Sequence, residues 1–123
     1  NEDKRINIGA AAPKKKISNF ALKNNLQRYS FLNTIPGTLG GSIKMNAGAY
    51  GSEIKDILYS TKFIDTSGNI KKKSIADIKY EYRTTDISDK MICVSSILEG
   101  GFAGKDDIKQ EIEKFKFLRK LEI

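Results

Sequence analysis

The sequence predicts an α+β domain with a mostly antiparallel sheet and flanking helices. Alternating strand patterns follow one another in the middle and late parts of the chain, and helical spacings lie towards both ends. This order differs from the strict strand–helix–strand alternation of a parallel sheet. A length of 123 residues suits one compact domain, so we expect residues 1–123 to form a single unit.

The first two predicted elements are a strand and a short helix. Residues 5–11 alternate in the period-two pattern of a half-buried strand. Pro13 suits the first turn of a helix, in which Ile17, Phe20 and Ala21 recur at the spacing of one helical face. A short amphipathic helix is therefore expected after the first strand.

The second half of the chain predicts a β-hairpin, a further strand and a closing helix. Residues 57–63 alternate, a polar turn with a glycine spans 65–68, and a second strand follows over 69–73. The next strand covers 91–98, and a helix begins near Asp107. The alternating positions of that strand are Ile92, Val94, Ser96 and Leu98. The apolar stripe of the helix consists of Ile108, Ile112, Phe115 and Leu118.

Composition restricts the classes of function. A formal net charge of +7, from 22 basic and 15 acidic residues, favours an anionic partner: a nucleotide, a nucleic acid or a membrane surface. The chain has no histidine and one cysteine, which excludes a Ser/His/Asp triad, a histidine-bearing metal site and a thiolate cage within it. No apolar run is long enough to span a bilayer, and Cys93 lies in an apolar strand pattern, so we expect a cytoplasmic protein.

Residues 34–51 depart furthest from average composition, with five glycines in eighteen residues. Pro36-Gly37 is typical of a tight turn, and the backbone amides of Gly40 and Gly41 are free to approach a phosphate closely. This pattern indicates a pyrophosphate site, although it matches neither a P-loop nor a Rossmann signature. Glycines that only permit turns and close packing are an alternative that spacing alone leaves open.

A family resemblance favours the first interpretation. Ile35-Pro36-Gly37-Thr38-Leu39-Gly40-Gly41, then Asn46-Ala47-Gly48-Ala49-Tyr50-Gly51, then Tyr80-x-Tyr82-Arg83 resemble the UDP-N-acetylenolpyruvoylglucosamine reductase (MurB) family in order and spacing. The resemblance covers nearly the whole chain. It implies the vanillyl-alcohol-oxidase (PCMH-type) FAD-binding fold, with this chain as the second flavin subdomain. The first flavin subdomain and the C-terminal substrate-binding domain are expected to be absent from it.

The resemblance also implies a cofactor and a reaction. FAD would receive a hydride from NADPH and reduce the enolpyruvyl group of UDP-N-acetylglucosamine enolpyruvate, which gives UDP-N-acetylmuramate for peptidoglycan synthesis. The enolpyruvyl nucleotide sugar and NADPH are thus the expected partners of the intact enzyme. Because parts of the family's flavin and substrate sites fall outside the chain, we expect the isolated chain to be inactive.

Site residues follow from the same motifs. Arg83 matches the family's active-site arginine, which would bind the enolpyruvyl carboxylate and stabilise charge that develops during reduction. Tyr50 is expected on the substrate side, and Asn46 is expected to hold the loop shape. The residues expected along FAD are Ile35, Pro36, Gly37, Gly41, Ser42, Ile43 and Gly48. Thr34 stands where the family usually has glycine, which weakens the detail of these flavin contacts.

Two other hypotheses remain at this point. The lysine runs 14–16 and 71–73, with the net charge and scattered tyrosines, allow a basic nucleic-acid-binding module. Our preferred interpretation of both runs is solvated turns and strand edges. The third hypothesis is a folded remnant that neither keeps flavin nor turns over.

Overall fold

The structure is a computed structural model that describes residues 4–78, 80–81, 84–85 and 91–121. Its main element is a four-stranded antiparallel sheet. In the order in which they pair, its strands are β1 (Lys4–Gly9), β8 (Ile92–Gly100), β4 (Leu58–Ile64) and β5 (Ile70–Ser74). The antiparallel arrangement with flanking helices confirms the predicted α+β class.

Helices and short strands complete the described structure. The α-helices are α1 (Lys14–Lys23), α2 (Leu39–Met45) and α3 (Lys105–Leu121). Single 3-10 turns cover Ser30–Thr34, Ile54–Asp56 and Ile75–Asp77. Two small antiparallel pairs join β2 (Gly48–Ala49) to β3 (Ser52–Glu53), and β6 (Tyr80–Glu81) to β7 (Thr84–Thr85).

The predicted first helix forms as α1, but one residue of its apolar face was assigned wrongly. Pro13 is the N-cap, and Ile17 and Ala21 are buried as expected. Phe20 is 46% exposed, while the neighbouring Ser18 is buried and accepts a hydrogen bond from Asn33 Nδ2 at 3.2 Å. The buried face of α1 is thus turned towards the 3-10 turn at Ser30–Thr34, which contains Asn33.

The structure confirms the predicted hairpin (β4 and β5), the strand β8 and the apolar stripe of α3. The first part of β8 buries the opposite face from the one predicted. Ile92 is 68% exposed and Val94 is exposed as well, whereas Cys93 is buried. The pairing of β4 with β8 shifts register between Lys62 and Phe63, and Ser96 and Leu98 beyond this shift are buried as expected. A bulge of this kind exchanges the two faces of a strand, so strict alternation fails there.

The core lies between one face of the sheet and the helices. Tyr29, Phe31 and Leu32 precede or belong to the 3-10 turn at Ser30–Thr34 and are fully buried, and this turn contacts both α1 and α3. The glycine segment follows directly, so its start is anchored by buried aromatic and aliphatic side chains. Across the described residues, no helix is long and apolar enough to cross a membrane, and no cluster of three potential metal ligands occurs.

Candidate functional site

A surface groove of about 310 Å³ lies between the start of α1 and the glycine segment. Five of the seven residues predicted to contact FAD are among those that line it. Of the described residues in its lining, none is acidic. The lining residues are Lys14, Ile35, Pro36, Gly37, Thr38, Gly41, Ser42, Met45 and Ala47.

The wall of the groove is fixed by backbone pairing between two loops. Residues 37–40 run alongside residues 10–14, with an antiparallel bridge between Pro13 and Thr38. The N–H of Lys14 donates to the Gly37 carbonyl at 3.0 Å, and the N–H of Leu39 donates to the Ala12 carbonyl at 2.9 Å. Gly37 has φ +102°, a backbone conformation that favours glycine. The loop therefore holds one defined shape beside α1.

Gly40 and Gly41 have different roles, although the sequence suggested the same one for both. The N–H of Gly40 donates to the Ala10 carbonyl at 3.0 Å, and a Cβ on Gly40 would lie 3.1 Å from the Cβ of Ala10. The expectation of a free amide is therefore wrong for Gly40, which is a packing glycine. A Cβ on Gly41 would meet only Thr38 Oγ1, at 3.9 Å. Gly41 thus faces open space in the groove.

Unpaired backbone donors border the groove. Among the described residues, the N–H groups of Gly37, Thr38 and Gly41 find no hydrogen-bond acceptor. All three residues are exposed, so these groups can reach a ligand. Exposed donors beside a lining without acidic residues suit an anion such as a diphosphate.

Ser42 and Ile43 are less accessible than these three residues. The Ser42 hydroxyl donates to the Thr38 carbonyl at 3.0 Å, and the Ser42 N–H donates to the same oxygen at 3.3 Å. Ile43 is fully buried in the core. Ser42 must therefore release its present acceptor to donate its hydroxyl proton to a ligand, and Ile43 can contribute only through its backbone. Their contacts with FAD stay predictions.

Lys14 is the residue of the groove that the sequence interpretation missed. It is only 5% exposed, which contradicts the expectation of a solvated lysine run at this position. A Cβ on Gly37 would lie 3.8 Å from both Cε and Nζ of Lys14. Burial lowers the pKa of the Lys14 ammonium below its ordinary value. The available signal was a lysine in the first turn of a helix that has no acidic residue there.

Asn46 ends α2 and shapes the second half of the glycine segment. It adopts the left-handed conformation, with φ 46°, and is fully buried. Its Nδ2 donates to Glu53 Oε2 at 2.9 Å, and its Oδ1 accepts from the N–H of Lys55 at 3.3 Å. These contacts support the interpretation that Asn46 holds the loop shape.

Gly48 has a structural reason to be glycine. A Cβ there would lie 2.7 Å from the Ser52 carbonyl oxygen and 2.9 Å from Glu53 Cγ, both too close for an L side chain. The approach of β2 to β3 thus requires glycine whether or not a ligand binds. Its predicted contact with FAD stays a prediction.

Tyr50 borders a second cavity, of about 270 Å³, which is lined by residues 46 and 48–53. It has φ 54°, and its ring stacks on Phe115 of α3 with centroids 4.7 Å apart and an interplanar angle of 11°. The Tyr50 hydroxyl is buried and has no partner among the described residues, a condition that favours a ligand contact. The other predicted substrate residue, Arg83, lies outside the described residues, as does Tyr82.

Sequence comparison finds UDP-N-acetylenolpyruvoylglucosamine reductases among the relatives of this chain. The chain is 37% identical over 111 residues to the UDP-N-acetylenolpyruvoylglucosamine reductase of Pelagibacter ubique (strain HTCC1062), a match over 90% of this chain and 37% of that protein. It is 39% identical over 116 residues to the enzyme of the same name from Orientia tsutsugamushi (strain Ikeda), over 94% and 38% respectively. These matches confirm the resemblance to the MurB reductases. The chain spans less than two fifths of the length of these relatives.

Structure comparison and a family match agree with this result. The crystal structure of UDP-N-acetylenolpyruvylglucosamine reductase (MurB) from Thermus caldophilus superposes with a TM-score of 0.87 at 23% identity, over 94% of this chain and 43% of that one. The shared fold is the PCMH-type fold that the resemblance implied. Residues 1–74 match the FAD binding domain family, whose cofactor is FAD. Because that match takes in more than half of the 123 residues, the chain belongs to the FAD binding domain family.

Proposed function

We propose that this chain is the larger flavin-holding part of a UDP-N-acetylenolpyruvoylglucosamine reductase and that its groove holds the diphosphate of FAD. One structural observation carries the proposal: three unpaired N–H groups and a buried ammonium surround a groove whose described lining has no acidic residue. Membership of the FAD binding domain family supplies the identity of the ligand. The similarity to the two reductases supplies the enzyme.

The residues of the chain position the cofactor. Gly37 and Gly41 offer N–H donors to phosphate oxygens, since neither is committed within the described fold. Ile35 and Pro36 form an apolar wall beside them. Within the proposal, Ser42 can add its hydroxyl after rotating away from Thr38, and Ile43 and Gly48 lie along the same ligand through their backbones. The polar side of the groove thus matches the phosphates, and the apolar side matches a ring of the cofactor.

The chemistry belongs to the intact enzyme. When bound, FAD supplies hydride transfer from NADPH to the enolpyruvyl group of UDP-N-acetylglucosamine enolpyruvate. Arg83 is proposed to bind the carboxylate of that group and to stabilise the charge that develops next to it. Tyr50 is proposed on the substrate side, where its buried hydroxyl without a described partner is available to a sugar or phosphate oxygen.

The domain arrangement and the biological role are part of the same proposal. A first flavin subdomain and a substrate-binding domain would complete the site, since the relatives are more than twice as long as their matched regions. The product, UDP-N-acetylmuramate, assigns the enzyme to peptidoglycan synthesis in the cytoplasm. The chain alone is expected to hold a ligand without turning it over.

Substitution of Gly41 tests the groove without disturbing the fold. In Gly41→Ala the new methyl group enters open space, so stability should stay the same or rise by about 0.5–1 kcal/mol, because glycine lowers helix propensity. The same methyl group would obstruct a diphosphate, and we expect the dissociation constant for FAD to rise about tenfold or more. Flavin fluorescence titration and urea unfolding measure the two quantities.

Gly9→Ala is the matched control. A Cβ on Gly9 meets no atom within 4 Å, and Gly9 does not line the groove. It should leave FAD binding unchanged. Equal affinities for the two variants, or no measurable binding of FAD by the unsubstituted chain, would contradict the proposal.

A further inference from the structure

Lys14 is a buried cation that has no counter-charge among the described residues. The residue is 5% exposed, yet among the described residues no hydrogen bond or ion pair reaches its Nζ. Burial is the cause of the lowered pKa of Lys14. Buried charges in proteins are normally paired, because an isolated charge is costly to remove from water. Within the described part of the chain, this lysine therefore lacks the partner that its position requires.

The ammonium group borders the groove. Nζ lies 3.8 Å from the Cβ position of Gly37, and Lys14 lines the same groove as Gly37 and Gly41. The N–H of Lys14 is already bonded to the Gly37 carbonyl, which fixes the start of α1 against the glycine loop. The ammonium group thus lies beside Gly37, whose N–H is one of the unpaired donors of the loop.

The start of α1 concentrates positive charge at this place. Its first turn contains Lys14, Lys15 and Lys16 and no acidic residue, and the N-cap Pro13 makes no side-chain cap. The N-terminus of a helix already carries partial positive charge, so lysines there are unfavourable unless an anion is nearby. The ten-residue α1 is long enough for this effect to be felt. The buried Lys14 ammonium group and the positive first turn of α1 both favour an anion at this end of the groove.

A role in packing alone does not account for this arrangement. A lysine that only covers apolar surface keeps its ammonium group in water, as Lys15 and Lys16 do on the same turn. Lys14 differs because nearly the whole side chain is removed from solvent. A methionine or leucine would fill the same volume without a charge to bury.

We infer that the Lys14 ammonium group binds the diphosphate of the dinucleotide that occupies the groove. Its role is that of a binding residue, which completes a site otherwise made of backbone N–H groups. The identity of the dinucleotide as FAD rests on the proposed function. The anion site itself rests on the burial of Lys14, the loop donors and the charge of the first turn of α1.

The test compares two substitutions that remove the same charge. Lys14→Met keeps the length of the side chain and removes the ammonium group, and Lys15→Met does the same at the exposed neighbour. Hydrogen bonds to charged groups support a rise of about 10- to 100-fold in the dissociation constant for FAD in Lys14→Met. For Lys15→Met the change should stay within about 2-fold, since an exposed charge is screened. Lys14→Arg should retain most of the affinity.

Riboflavin, which has no phosphate, separates a lost charge from a damaged groove. Its binding should be the same in Lys14→Met and the unsubstituted chain. Equal FAD affinities for Lys14→Met and Lys15→Met would overturn the inference. A parallel loss of riboflavin and FAD binding would also overturn it, since the effect would then not be specific to phosphate.

A second measurement keeps the inference independent of flavin. Inorganic pyrophosphate is titrated into the unsubstituted, ¹⁵N-labelled chain, and the side-chain signal of Lys14 and the amide signals of Gly37 and Gly41 are followed by NMR. Saturable shifts of these signals support the anion site even where FAD itself does not bind, an outcome that contradicts only the proposed function. Unmoved signals would overturn the Lys14 inference. Because it uses the unsubstituted chain, this measurement also tests the Lys14 inference if Lys14→Met fails to fold.

Discussion

Two runs of three lysines have the same sequence and opposite surroundings. Lys14–Lys16 begin α1, whereas Lys71–Lys73 lie in β5 at the edge of the sheet. Successive residues of a helix point about 100° apart, so one member of the first run turns into the protein. In the edge strand the run covers unpaired backbone, a common use of lysine. The position of a lysine run in the fold thus decides whether its members are solvated or buried.

The two lysine runs also differ in whether a described acidic residue lies beside them. Lys71 lies 3.7 Å from Asp65, and the Asp65 carboxylate accepts the N–H groups of Ser67 and Asn69 at 3.0 Å each. The Asn69 N–H, followed by the Ser67 N–H and the Lys71 charge, lowers the pKa of Asp65. Lys71 of the hairpin run is therefore paired within its own turn. No described acidic residue does this for Lys14, which leaves that place to a ligand.

The largest expected effect comes from substituting one glycine beside each lysine run. Gly37 accepts the N–H of Lys14, and Gly68 lies in the turn before Lys71–Lys73. Gly37 has φ +102° and Gly68 has φ +83°, so alanine at either position should cost about 1–2 kcal/mol of unfolding free energy. Only Gly37→Ala should also raise the dissociation constant for FAD, by about tenfold or more, because it distorts the loop that holds the phosphate donors. Urea unfolding and flavin titration of both variants measure this. A similar loss of FAD binding in Gly68→Ala would remove the distinction between the two regions.

A smaller effect is expected on the stability of the free chain. Lys14→Met should raise the unfolding free energy by about 0.5–1 kcal/mol, since it removes an unpaired buried charge, and the exposed Lys72→Met should change it by less than about 0.5 kcal/mol. The pKa of Lys14 is depressed in the folded state, so the unfolded chain binds more protons. Stability therefore increases as the pH rises from the folded pKa towards the ordinary value of about 10.4.

Urea unfolding at a series of alkaline pH values checks the sign of this dependence. The unsubstituted chain should gain stability across that window relative to Lys14→Met, and Lys72→Met should behave like the unsubstituted chain. A higher stability of the unsubstituted chain at neutral pH would show that Lys14 already has a partner in the free protein.

Much of the fold could be predicted from periodicity. The hairpin over β4 and β5 and the stripe of Ile108, Ile112 and Phe115 on α3 are local patterns, and the structure confirms them. The exposure of Phe20 and of Ile92 could not be predicted in this way. The first depends on which side of α1 meets the 3-10 turn at Ser30–Thr34, and the second on a register shift. Both are set by residues distant in the sequence.

The candidate site could likewise be predicted only in part from the sequence. The motif at Ile35–Gly41 predicted residues that line the groove, but it could not separate the packing glycine Gly40 from the open Gly41. Lys14 was missed because lysines are usually solvated, although it lies three residues before Ile17 on the buried face of α1. Its burial follows from the backbone pairing with Gly37, a contact between residues 23 positions apart.

The most direct test of the account is a crystal structure of the chain with FAD bound. The account predicts that a diphosphate oxygen lies about 2.7–2.9 Å from Lys14 Nζ, with other oxygens near the N–H groups of Gly37 and Gly41. A diphosphate bound away from the start of α1, with Lys14 still unpaired, would contradict it.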